Sequence, residues 1–71
     1  MKITLQQTEK LLKGNQSFSQ LGFSMLITRL KTSYAKTPSP TTVQDCMTQI
    51  NAFLEKFQSI MDADYAAITK H

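Results

Sequence analysis

Between Ser39 and Met61 the chain reads SPTTVQDCMTQINAFLEKFQSIM, and its apolar positions fall into three rows that repeat every seven residues. Val43, Ile50 and Phe57 form one row, Cys46, Phe53 and Ile60 a second, and Met47, Leu54 and Met61 a third. A seven-residue period keeps a helix face turned toward a neighbour, and one coiled-coil seam uses two such rows. A third row therefore predicts more apolar surface than a single facing helix covers. The rows run on to Asp64, Ala67 and Ile68, so one continuous helix is predicted over residues 40–68. Ser39 is its expected N-cap, with Pro40 at the first position, where a missing N–H is harmless. Asp45 near the first turn and Lys70 near the last suit the helix dipole. At 1.5 Å per residue such a helix is roughly 45 Å long.

Two further helical segments precede it. Thr4, with Gln7 three residues later, has the form of a capping box. A helix then runs through Leu5, Leu11 and Leu12, with Glu9 and Lys13 at i,i+4 spacing, and stops at Gly14-Asn15. Ser17 and Gln20 repeat the capping pattern, predicting a second helix over residues 18–36 that ends with Lys31 and Lys36 near its negative pole. Its apolar residues spread over about 240° of the circumference. Two prolines in Thr37-Pro38-Ser39-Pro40-Thr41 disfavour helical geometry at Thr37 and Ser39 and make the one firm break. The predicted architecture is all-α and a single domain over residues 1–71. It is a helical hairpin with a short N-terminal helix, or alternatively a compact three-helix bundle if that helix folds back.

Length sharpens the question of stability, because a chain of 71 residues buries only about 60% of the surface its unfolded form exposes. Cys46 is the only cysteine, which excludes an internal disulfide, and it lies far from the single histidine, His71. Cys46 reads as a small core residue and His71 as a solvated terminus. No metal or other cofactor is expected, and no acid, base or nucleophile constellation predicts an enzyme. The start of the chain lacks the pattern of a secretory signal. The apolar cluster over residues 21–30 is too short for a bilayer, which takes about 20 residues. A lone thiol points to the cytoplasm. Asp64 falls in an apolar row, where it is expected to be wet, the facing arm having ended, or else to meet Lys2, Lys10 or Lys13.

The net charge of +3 is uneven, with six basic and one acidic residue in residues 1–36 and two basic and four acidic in residues 37–71. Scattered lysines favour one arm lying against the other over a nucleic-acid face. Arg29, Lys31 and Lys36 are the nearest approach to a basic patch, and the alternative reading is a small nucleic-acid-binding regulator. The surplus apolar surface instead predicts a protein partner, either a second copy or a different chain. Phe23, Ile27, Leu30 and Tyr34, with Met47, Leu54 and Met61, are the expected contact residues.

The stretch MLITRLKTSYAKTPSPTTVQDCMTQINAFLEKF, with its leucine-lysine helix end, short bend and amphipathic helix, resembles the small cytoplasmic co-chaperones of the type III secretion needle protein. Those are helical hairpins of similar size with a short first segment and a long final helix. The resemblance extends from Leu5 to about Ile68. It implies a chaperone partner and a needle subunit kept from polymerising, and it transfers no individual binding residue.

Overall fold

The computed structural model describes residues 2–69, and among these it contains four α-helices and no strand. They are α1 (Leu5–Lys13), α2 (Leu21–Lys36), α3 (Pro40–Lys56) and α4 (Asp62–Thr69). Lys70 and His71 lie outside the described residues, and with them the expected dipole partner and solvated terminus. Helix α1 forms as its sequence signals predict. The Thr4 hydroxyl accepts the Gln7 N–H at 3.1 Å, and the Gln7 side chain accepts the Thr4 N–H at 2.9 Å. Asn51 of α3 clamps the strand-like lead into α1. Its side-chain oxygen accepts the Ile3 N–H at 2.7 Å, and its amide donates to the Ile3 carbonyl at 3.3 Å.

Helices α2 and α3 form an antiparallel hairpin around residues 37–39. Ser39 caps α3 by accepting the Thr42 N–H at 3.1 Å, with Pro40 in the first turn. Helix α1 folds back across the hairpin and packs on both of its arms. Their shared core holds Leu11, Leu12, Phe23, Ile27, Leu30, Val43, Cys46, Ile50 and Leu54. Burial of a side chain of this size stabilises the fold by about 1.5–3 kcal/mol.

Three expectations are corrected. Helix α2 starts at Leu21, not Phe18, and Ser17 does not cap it. Gln20 is the N-cap residue and makes no side-chain cap bond. The acceptor comes from 44 residues away: the Asp64 carboxylate accepts the Ser19 N–H and, at 2.8 Å, the Gln20 N–H. Asp64 is 1% exposed, so it is not wet, and its partners are these backbone groups rather than Lys2, Lys10 or Lys13. The expected helix over residues 40–68 is in fact two. Phe57 ends α3 with φ −117° and ψ 75°, and α4 resumes at Asp62.

The break has a physical cause. A straight rod would carry Ile60, Asp64 and Ile68 past the end of the short α1. Turning back lets Ile60 and Ile68 join the core and seats α4 on α1. Two buried isoleucines and two hydrogen bonds to a carboxylate outweigh a few helical bonds that water replaces, each worth about 0.5–1.5 kcal/mol net. The radius of gyration is 11.0 Å. A compact chain of this length is expected at roughly 11 Å. The longest extent is 30 Å, well short of the rod.

Removing the Asp64 carboxylate leaves two backbone donors at the start of α2 without an acceptor. Asp64→Ala is expected to lower unfolding free energy by about 2–3 kcal/mol, and Asp64→Asn, which keeps one acceptor oxygen, by about 1 kcal/mol. Urea titration followed by far-UV circular dichroism measures both. Equal, near-zero losses would show that the cap contributes nothing.

Candidate functional site

The residues expected to meet a partner do not share one surface. Phe23, Ile27, Leu30 and Leu54 are enclosed in the core. Tyr34 and Met47 are half-buried against it, and Met61 alone of the seven is exposed. The large apolar side chains that remain outside are Leu5, Leu21, Met25, Phe57 and Met61.

One of these, Phe57, opens onto a groove between the middle of α2 and the last turns of α3. It has a volume of about 290 Å³. Its apolar lining comes from Leu26 of α2 and from Ala52, Phe53 and Phe57 of α3, while Arg29 and Lys56 stand at its rim. Gly22 flanks it on α2 without lining it. A Cβ placed on Gly22 would lie 3.8 Å from the Phe53 ring, so the bare backbone at this position leaves the ring an open flank. Gly22, Met25, Leu26 and Arg29 share one face of α2 by their three- and four-residue spacing. Met25, 65% exposed, thus extends the apolar strip along the groove.

The floor is a run of stacked rings leading from the core to the surface. Phe18 meets Phe23 edge-on at 4.9 Å between centroids, Phe23 meets Phe53 at 5.4 Å, and Phe53 meets Phe57 at 4.7 Å. Phe23 is fully buried and Phe57 is 43% exposed. Such pairs add about 0.5–1.5 kcal/mol beyond their area burial and hold the rings in fixed places. The Lys56 ammonium lies 5.6 Å from the Phe57 centroid, within cation–π range. No acidic side chain lines the groove.

A second cleft, of about 230 Å³, lies at the hairpin bend between Leu5, Tyr34, Pro38 and Pro40, with Glu9 at its edge. Unlike the first groove it carries an acidic side chain, Glu9, and no basic one. Arg29, Lys31 and Lys36 do not form one patch. Arg29 stands at the groove, whereas Lys31 lies on the other side of α2 and donates to the Gly14 carbonyl. Among the described residues no group of three His, Cys, Asp or Glu side chains gathers as metal ligands. None of the helices among the described residues is long and apolar enough to cross a membrane.

Cys46 is 2% exposed in the core. Burial, with the neighbouring Asp45 carboxylate adding to it, pushes its thiol above the ordinary value of 9.0. The placement fits the sequence reading of a core residue. Sequence reasoning missed Leu26, Phe53, Lys56 and Phe57 as site residues. Phe53 and Phe57 stood out as apolar in the seven-residue rows, but nothing in the sequence paired them with Leu26 and Arg29 of α2.

No family model matches the chain, and no curated protein and no solved structure is significantly similar to it.

Two outcomes test this description. Because the Cys46 thiol ionises more readily in the unfolded chain, its contribution to stability is full below pH 9.0 and is lost as pH rises through its higher folded value. Thermal unfolding should therefore soften in that alkaline window for the native sequence and less for Cys46→Ala, and a thiol reagent at neutral pH should label only unfolded protein. Gly22→Ala should raise stability by about 1 kcal/mol through helix propensity, since the added methyl meets Phe53 in ordinary contact. A measured loss instead would mean that the flank of Phe53 is not open.

Proposed function

We propose that this chain is a non-enzymatic protein-interaction module that receives an acidic amphipathic helix of a partner protein in the groove between α2 and α3. One observation carries the reading: an aromatic floor open to solvent and flanked by two cations, with no acidic lining residue and with the exposed Met25 on the same face of α2. Helix-in-groove recognition uses apolar anchors on one face of the incoming helix, and carboxylates beside those anchors would meet Arg29 and Lys56. Aromatic, methionine and arginine side chains are the types enriched at such contacts. Met25 is unbranched and adapts to partner shape.

A needle co-chaperone role is the specific form that the sequence resemblance suggests. The long final helix that carried much of that likeness is divided here at residues 57–61, so the proposal rests on the groove. A cytoplasmic setting belongs to the same proposal.

A photo-reactive residue placed at Met25, and separately at the exposed Gln44, locates the docking face in cells that make the protein. Crosslinking of a discrete partner from Met25 but not from Gln44 is expected. The double substitution Arg29→Glu and Lys56→Glu should weaken that complex by about tenfold or more, equivalent to 1.4 kcal/mol, while leaving helix content unchanged. Equal capture from both positions, or affinity indifferent to the charge reversal, would refute the groove as the site.

A further inference from the structure

The junction between α3 and α4 is unusual in containing nothing that obliges it to bend. Residues 57–61 read Phe-Gln-Ser-Ile-Met, without glycine or proline. The backbone leaves helical form for only a few residues. The Phe57 N–H still bonds to the Phe53 carbonyl at 2.8 Å, and the Tyr65 N–H already bonds to the Met61 carbonyl at 3.1 Å. No residue in the junction has positive φ. Local preference therefore permits one helix across it, and the bend is held from a distance by Asp64 on α2 and by Ile60 and Ile68 in the core.

We propose that two copies of this chain exchange α4: the junction becomes helical, α3 and α4 join into one rod, and each Asp64 caps α2 of the other copy. Exchange keeps the bonds from Asp64 to the Ser19 and Gln20 N–H groups and the packing of α4 on α1, now made between copies. A lone chain cannot straighten at little cost, because Asp64 and Ile68 would leave their sites and α2 would lose its cap. With a second copy, each vacated site is refilled by an identical element, the condition under which swapping is a low-cost route to a dimer.

The register of the rod identifies the new contact. Leu54, Phe57, Met61, Asp64 and Ile68 follow one another at spacings of three and four, the rhythm of a coiled-coil seam. Phe57 and Met61, both exposed in the compact form, lie on this seam at the point where two antiparallel rods cross. Their meeting across the two-fold axis supplies apolar burial that the single chain lacks. The seam shares Phe57 with the partner groove, but Gln58 and Ser59, where the two readings are told apart, do not line it.

The test uses the purified chain refolded from denaturant at high concentration and separated by size with mass measurement. A species of twice the 8.0 kDa chain mass is expected beside the monomer. Because exchange requires α4 to open, the isolated dimer should persist on dilution and return to monomer only under partly denaturing conditions. Gln58→Pro is compatible with the bend, since Phe57 already lies outside the α region that a following proline disfavours. That substitution blocks a continuous helix and should abolish the dimer while the monomer stays folded. Ser59→Ala, which favours helix, should raise the dimer share. A chain that is monomeric at every concentration, or a dimer that dissociates at once on dilution, overturns the proposal. So does a dimer that survives Gln58→Pro.

Discussion

The carboxylate of Asp64 on the opening turn of α2 is the constraint from which the arrangement of the helices follows. The start of a helix leaves backbone N–H groups unbonded and carries the positive end of its dipole. Most helices satisfy these groups from the residue at the N-cap. Here Gln20 occupies that place without bonding, and its side-chain oxygen is itself buried without a partner. A carboxylate delivered from α4 instead accepts the N–H groups of Ser19 and Gln20, immediately before the first turn and at the positive end of the dipole. To deliver it, the chain must reverse after α3, and that reversal fixes where α4 lies, which isoleucines reach the core and how long the molecule is.

Two other polar ties act in the same way. Asn51 bonds both backbone groups of Ile3, and Lys31 donates to the carbonyl of Gly14 at the end of α1. Each contact satisfies backbone groups that a helix terminus or its flanking segment would otherwise leave open. Apolar burial is the larger stabilising term in so small a chain, but it is non-directional. The polar ties give it direction: α1 is held at both ends, and α2 at its start. By contrast the Glu9–Lys13 pair, exposed on both sides at 3.4 Å, contributes only about 0.3–0.5 kcal/mol.

What was legible in the sequence is what local chemistry decides. The Thr4–Gln7 box, the stop at Gly14, the bend at Pro38 and the Ser39-Pro40 start of α3 all appear where their residues place them. The all-α class follows from the same signals, and Val43, Cys46 and Ile50 are core residues drawn from the rows, as is Leu54, which was expected at a partner. The division of the last helix was not legible, because nothing within residues 57–61 specifies it and its cause lies at Ser19 and Gln20. Asp64 looked like a flaw in an apolar row when read along the helix alone. Its burial depends on two backbone donors that no periodicity can display. The groove escaped notice for a related reason: it is defined by Leu26 and Arg29 of α2 meeting rings of α3, a pairing that neither helix displays alone.

The three rows on α3 and α4 thus serve two incompatible helical geometries. In one, the period continues unbroken and all three rows lie along a single rod. In the other, the row containing Val43 and Ile50 stays in the core while the chain turns at Phe57. The compact molecule adopts the second, because a short α1 can shield only the near part of a rod and because α2 needs an acceptor. Ending α3 at Lys56 leaves Phe57 as its C-cap, stacked on Phe53 and open to solvent. The apolar surface that remains outside is therefore no leftover of imperfect packing. The same turn that brings Asp64 to α2 and buries Ile60 and Ile68 also sets the outermost ring of the groove in place. Intramolecular stability and the exposed aromatic surface are two results of one backbone reversal.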